Sequence, residues 1–274
     1  WTVWTNGIFI FRPDVVIGSI QPMFAGWAAL SAARRAAAPF VLEIRDLWPD
    51  ALVVKGAVTP LQARPLHWIV DRLYRESLRI VSLTPGIRTE LVRKGVPPEK
   101  VDVFPNGFSP TLFDAPGPTR EEIRGRYGWG RDFVAVYTGS FQKVTAVEVF
   151  VRAAQRLSGR ARIRIALFGA GPTKNEVVIL ARELGVRNVE FHDPVPKRDV
   201  PAILRAADAG LMALFRSPLI HIYFENKLMD YMGAGLPILA AMEGEQARLI
   251  GEYEVGRVCG TFDADGLARL VEEA

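Results

Sequence analysis

Short runs rich in Val, Ile and Phe alternate with helix-patterned segments along almost the whole chain, and this alternation constrains the fold more than any other feature. Strands that take turns with helices build parallel sheets through crossover connections, so the class is α/β. In the first half, 14–18, 40–44, 79–83 and 101–104 read as strands, with helices over 22–37, 65–75 and 85–94 between them. The amino-terminal WTVWTNGIFIF also runs into a strand signal. Residues 108–131, rich in Pro, Gly and charge around one short helix over 120–127, read as a linker. The pattern then restarts, with strands at 133–137, 163–168, 189–191, 210–214 and 237–241. Helices fall over 146–157, 174–184 and 198–207, with another after Lys227 and one over 265–274. The expectation is two doubly wound, Rossmann-like domains facing a cleft. They are 1–112, with its start incomplete, and 113–274.

Composition narrows the class. A chain of 274 residues that is 49% hydrophobic can bury a full core. One cysteine, Cys259, excludes an internal disulfide, and three scattered histidines without paired cysteines argue against a structural metal. No stretch reaches the ~18 apolar residues of a membrane span; the longest, 23–42, is broken by Arg34, Arg35 and Pro39. The net charge of +4 permits attraction to anionic surfaces or phosphorylated ligands and decides nothing alone. The chain begins without Met or a basic leader and ends in a helical pattern without a cap, so truncation at both ends is expected.

Ligands of open α/β sheets sit beyond the carboxyl ends of strands, which directs attention to the residues there. The segment 217–239, SPLIHIYFENKLMDYMGAGLPIL, sets the polar loop Glu225-Asn226-Lys227 before a helix that carries Asp230 and breaks at Gly233-Ala234-Gly235. Backbone N–H groups at such a helix start suit a phosphate, and an acid one turn in can accept hydrogen bonds from sugar hydroxyls. An ordinary loop, helix and Gly C-cap is the alternative. Gly139-Ser140 and Gly169-Ala170-Gly171 end two strands of the second half. They allow close backbone approach to a diphosphate or tight strand–helix packing. Gly171 is followed by Pro172-Thr173-Lys174, with lysine where a dinucleotide fingerprint needs its third glycine, so NAD is disfavoured. In the first half, Asp46 in Arg45-Asp46-Leu47-Trp48-Pro49-Asp50 is either a cleft-facing carboxylate beside an aromatic loop or a helix cap over a minor core. Lys143 and Lys227 can each meet a phosphate or stand solvated; His67 and His192 read as surface or packing residues.

Together these residues resemble a family-4 glycosyltransferase of the GT-B fold, in the branch that builds bacterial surface polysaccharides such as capsule, O-antigen and colanic acid. The matching segments are RPDVVIGS at 12–19, FVLEIRDLWPD at 40–50, SLTPGIRTELVRKGVPPEKVDVFPNGFSPTLF at 82–113, FGAGP at 168–172 and NKLMDYMGAGLPIL at 226–239. Their order and spacing carry the resemblance over essentially the whole chain.

The resemblance implies a retaining transferase that takes a sugar from a nucleoside diphosphate donor, UDP by preference, without metal or other cofactor. Its Glu-x7-Glu pair places the ribose-binding acid at Asp230 and the first acid at Ile222, with Glu225 as the only acid in that loop. Ser140 and Thr145 stand where the family often has basic residues, and Lys143 is the candidate replacement. Arg45-Asp46 replaces a common His-Asp pair, and Arg45, Asp46 and Lys227 are the catalytic candidates. The donor is expected against Gly139, Ser140, Lys143, Gly169, Gly171, Pro172, Val195, Pro196, Glu225, Asn226 and Asp230, with amides of Gly139, Gly169 and Gly171 at the phosphates. Asn106-Gly107 resembles an interdomain turn facing the cleft. The implied partners are the nucleotide sugar and a lipid-linked or glycan acceptor, with cytoplasmic location, peripheral contact at the inner membrane face and no nucleic acid. A nucleotide-sugar 2-epimerase and a non-catalytic nucleotide-sugar-binding relative remain as alternatives.

Overall fold

The computed structural model describes residues 12–54, 56–160 and 162–274; the strand signal within 1–11 lies outside the described residues. The chain folds as two compact units. One comprises the residues up to Asn106 together with His221–Phe224, and the other Gly107–Ile220 with Glu225–Ala274.

The first unit contains β1 (Val16–Ser19), α1 (Met23–Ala36), β2 (Phe40–Ile44), α2 (Asp50–Val54), α3 (Pro60–Glu76), β3 (Arg79–Ser82), α4 (Pro85–Arg93) and β4 (Val101–Val103). Its described strands pair in parallel in the order β1-β2-β3-β4, each joined to the next by a helical crossover. Helix α3 starts five residues before the expected Pro65. Thr59 and Gln62 form a reciprocal capping box and Pro60 takes the first helical position, so Pro65 lies inside the helix. His221–Phe224 seats on the start of α4: a Cβ on Gly86 would lie 2.3 Å from the His221 carbonyl oxygen, and Ile222 is 1% exposed. Only glycine leaves room for that carbonyl.

The second unit opens with α5 (Pro110–Asp114) and α6 (Arg120–Arg126). The segment read as a linker is therefore part of this unit, and the boundary falls at Asn106/Gly107 instead of 112/113. Packing explains the difference. Trp129 is fully buried, Arg205 donates to the Phe113 carbonyl at 2.6 Å, and Arg120 and Arg124 both pair with Asp208 (2.5 and 3.2 Å). A composition rich in Pro, Gly and charge does not reveal such anchors.

Then follow β5 (Phe133–Thr138), α7 (Glu148–Arg156), β6 (Ile163–Phe168), α8 (Lys174–Glu183), β7 (Val189–His192), α9 (Val200–Ala206), β8 (Ala209–Ala213), α10 (Lys227–Gly233), β9 (Ile238–Ala241), α11 (Glu245–Glu252), β10 (Gly256–Cys259) and α12 (Ala264–Glu272). The all-parallel order β10-β9-β8-β5-β6-β7 is that of a doubly wound sheet, and it reverses between β5 and β8. Strands covered on both faces read as continuous apolar runs, and β8 (AGLMA) is buried along its whole length. The main core lies between this sheet and α7, α8 and α12. Among the described residues no helix is long and apolar enough to cross a membrane.

Candidate functional site

A cavity of about 540 Å³ opens in the second unit at the carboxyl ends of β5, β6 and β7 and the start of α10. It lies at the reversal of strand order, where parallel sheets leave a crevice. Strands β5 and β8 pair only at Ala135–Ala209 and Val136–Gly210, and Tyr231 fills the gap where they part. Its hydroxyl accepts from the Thr138 N–H (3.1 Å) and donates to the Leu211 carbonyl (3.3 Å), and burial pushes its pKa up to about 12. A Cβ on Gly210 would sit 2.5 Å from the Tyr231 ring, which explains a glycine in that strand.

Of the residues expected at the donor, Gly139, Ser140, Gly169, Val195, Glu225, Asn226, Lys227 and Asp230 line this cavity. Lys143 stands exposed on a single 3-10 turn, and Lys143, Gly171, Pro172 and Pro196 are not among its walls. Pro194 also lines it, within the Asp193–Pro196 run (DPVP) expected beside the base, and Thr138, Phe168, Ala170, Lys197 and Val200 complete it without having been named as site residues.

The glycines serve loop contact. A Cβ on Gly169 would lie 1.8 Å from the Gly139 carbonyl oxygen, and one on Gly171 would lie 2.2 Å from that of Phe141. The Gly139 N–H is taken by the Phe168 carbonyl (3.0 Å) and the Gly169 N–H by that of His192 (3.2 Å). Those two amides are therefore not the free phosphate donors anticipated. The N–H groups of Ser140 and Ala170, also on the cavity wall, have no acceptor among the described residues. Side chains brace these loops. Lys174 donates to the carbonyls of Gly169 (2.8 Å) and His192 (2.9 Å), and the Thr145 hydroxyl lies 3.0 Å from the Ser140 carbonyl. Thr145 is a loop brace at the position where a basic residue was sought.

Lys227, expected as a cation facing the diphosphate, is 8% exposed and engaged within the floor. Its Nζ donates to Glu225 Oε1 (2.8 Å), lies 3.4 Å from the Tyr137 hydroxyl and sits 4.5 Å from that ring's centroid. Tyr137 in turn donates to the Ser140 carbonyl at 2.7 Å. Burial alone would lower the lysine's pKa, but the Glu225 carboxylate outweighs it and holds the ammonium charged. The other carboxylate oxygen, Glu225 Oε2, is buried and has no hydrogen-bond partner among the described residues. The Glu225 backbone is fixed on both sides by the Gln246 amide (3.0 and 2.9 Å). Asp230 pairs with Lys197 at the wall. Its helix, α10, stops at Gly235 in the left-handed conformation, as the small-residue break led one to expect.

Behind the cavity, Phe168 stacks on His192 (4.4 Å), and Glu190 accepts from Trp129 Nε1 (3.1 Å), Arg164 Nη1 (2.7 Å) and the His192 ring (3.1 Å). His192 is thus a packing residue. Burial alone would raise the Glu190 carboxyl, yet the His192, Arg164 and Trp129 donors hold it at about 2. A carboxyl depressed on folding stabilises above its unfolded pKa, and that stability is lost as pH falls through the folded value. Thermal unfolding should therefore show about 3 kcal/mol lost between roughly pH 4.5 and 2, a slope that Glu190→Gln flattens. An unchanged slope in the variant would show that Glu190 is not the responsible group.

In the first unit, Arg45 is exposed and donates to Glu43 (3.0 Å), and Asp46 accepts from the Gln21 amide at 2.9 Å. Asp46 caps no helix. Asn106 closes this unit and Gly107 opens the other. Ile222 is buried in the first unit, which accounts for an apolar residue where an acid was sought. Among the described residues no group of three or more His, Cys, Asp or Glu could hold a metal ion.

Two family models match the chain: the glycosyl transferase 4-like domain over 9–107 and glycosyl transferases group 1 over 132–274. The chain is 24% identical over 269 residues to a protein of Escherichia coli K12 named for colanic acid biosynthesis, the glycosyl transferase WcaI. That match covers 96% of this chain and 63% of WcaI, so the chain spans less than two thirds of that relative. Among solved structures, Anabaena Alr3699/HepE in complex with UDP superposes with a TM-score of 0.80 at 16% identity, covering 99% of this chain and 72% of HepE. WaaG, a glycosyltransferase involved in lipopolysaccharide biosynthesis, does so at 0.68 and 19%, covering 91% and 73%. At such identities the likeness establishes the fold, a GT-B-type pair of α/β units.

Proposed function

The chain belongs to the group 1 glycosyltransferases, and from that premise we propose that the second unit holds a nucleoside diphosphate sugar and that the whole protein transfers the sugar during synthesis of a surface polysaccharide. The observation that carries the reading is the cavity at the strand-order reversal, which joins unpaired backbone donors to carboxylates. The N–H groups of Ser140 and Ala170 meet the diphosphate, Pro194 and Val195 flank the base, and Asp230 accepts from the ribose hydroxyls. Glu225 Oε2, buried without a donor, accepts from a hydroxyl of the sugar. A volume near 540 Å³ suits a ligand of that size.

In this reading the reaction retains anomeric configuration, draws on no metal or cofactor, and delivers the sugar to a lipid-linked acceptor for capsule, O-antigen or a related glycan. HepE is solved with UDP and with UDP-glucose, which supports UDP as the carrier. Backbone donors and the Lys197 cation at the diphosphate would stabilise the leaving group as charge develops on it.

Calorimetric titration with UDP and GDP tests the reading. UDP should bind and GDP should bind more weakly, and Asp230→Ala should weaken UDP by about tenfold or more, because a hydrogen bond to a charged group is lost. Lys197 is largely exposed, so the alanine variant leaves no buried cation behind. Absence of binding by either nucleotide would remove the proposal.

A further inference from the structure

A second cavity, of about 380 Å³, opens in the second unit at the amino ends of β5 and β6, the opposite end of those strands from the donor cavity. The length of β6 sets the two roughly 20 Å apart. Arg160, Arg162, Arg164 and Arg187 line it, and Asp132 is the one acid among its lining residues. That acid is already engaged. Arg164 donates to Asp132 (2.5 Å) and to Glu190 (2.7 Å), and Arg160 pairs with Glu272. Arg162 and Arg187, both exposed, have no carboxylate partner among the described residues. The Arg162 backbone is fixed at φ +78, and its carbonyl accepts from the Phe133 N–H at 2.7 Å. A residue other than glycine keeps left-handed backbone only where its surroundings impose it, so this arginine springs from a set point on the wall.

Guanidinium groups left without an acid, in a concave site whose own carboxylate is taken, suit an anion of more than one charge with paired acceptor oxygens. A phosphoryl group supplies both, and the planar guanidinium fork matches its oxygens two at a time. The volume falls within the ~300 to 1,000 Å³ of small-molecule sites. We infer that this cavity binds a phosphoryl group, free or carried on a small molecule such as a sugar phosphate. No residue lines both cavities, so the site is separate from the one proposed for the nucleotide.

Labelling of arginines with phenylglyoxal, followed residue by residue by mass spectrometry, tests it on the unmodified chain. Inorganic phosphate or glucose 1-phosphate, at about ten times its dissociation constant, should slow labelling of Arg162 and Arg187 roughly tenfold, and glucose should not. Protection by phosphate alone assigns the cavity to the free anion, and protection that needs glucose 1-phosphate assigns it to a phosphorylated sugar; either supports the site. Arg93 and Arg257, exposed elsewhere, should label at an unchanged rate. By calorimetry, Arg162→Gln with Arg187→Gln should weaken binding of the protecting anion by about tenfold or more, because hydrogen bonds to charged groups are lost. UDP titration of that variant should match the unmodified chain, which separates failure of this site from failure of the donor site. Protection by neither anion, equal protection of Arg93 and Arg257, or unchanged binding by the glutamine variant would overturn the inference.

Discussion

Replacing Lys227 by methionine is expected to destabilise the second unit by about 3 to 5 kcal/mol, the usual cost of removing one partner of a buried ion pair. Methionine keeps much of the stem volume and deletes the charge. Glu225 would then hold a carboxylate with neither oxygen satisfied, since Oε2 already lacks a partner. The Tyr137 hydroxyl would also lose its neighbouring cation, and with it part of the brace on the Ser140 carbonyl. For a unit of this size the unfolding midpoint should fall by roughly 10 °C. Adding Glu225→Gln to the methionine variant should recover most of the loss, since the buried charge is then gone. Calorimetric unfolding of both single variants and the double variant decides the matter. A methionine variant as stable as the parent would mean that the Lys227–Glu225 contact carries no energy.

Gly169→Ala should be comparably severe and should remove nucleotide binding. The new methyl would lie 1.8 Å from the Gly139 carbonyl oxygen, well inside contact distance, and the obstacle is backbone that cannot rotate away. The two loops must part, and Ser140 and Ala170 of the cavity wall ride on them. A cost of about 3 kcal/mol or more is expected, with UDP affinity down roughly a hundredfold. Gly128→Ala supplies the control. Gly128 has φ +65 with nothing within 4 Å of a Cβ, so it should show only the left-handed backbone cost of ~1 to 2 kcal/mol. If the two alanine variants unfold alike, crowding between the loops is not what fixes Gly169.

These two residues also show where reading the sequence stops. The strand end at Phe168 was legible, and those at Thr138 and Ala213 to within one residue, because apolar runs buried on both faces stand out against their flanks, and the Gly233-Ala234-Gly235 break announced the end of α10. Whether Gly169 admits a phosphate or a neighbouring carbonyl depends on a loop thirty residues earlier in the chain, which no local pattern encodes. Lys227 carried the same ambiguity. A lysine in a polar loop reads as a cation open to a phosphate or to solvent, and only the folded arrangement sets Glu225 and the Tyr137 ring around it. Helix α11 and strand β10 went unnoticed because their apolar residues are few. The 108–131 segment misled for the opposite reason: its arginines look solvated, yet Arg120 and Arg124 tie it to Asp208.

The strand order has a consequence for how the protein comes into being. The cavity exists only where β5 lies beside β8, a pairing between Ala135–Val136 and Ala209–Gly210 that closes over the intervening β6 and β7 with their helices. Closing so long a loop comes at a large entropic cost, and contacts distant in sequence slow a folding chain. The crossovers from β5 to β6 and from β6 to β7 join strands that are neighbours in the sheet, so they can assemble without it. The newly made chain therefore owns a half-sheet before it owns a pocket. On the proposed reading, a nucleotide would find its cavity only once that most distant pairing is made.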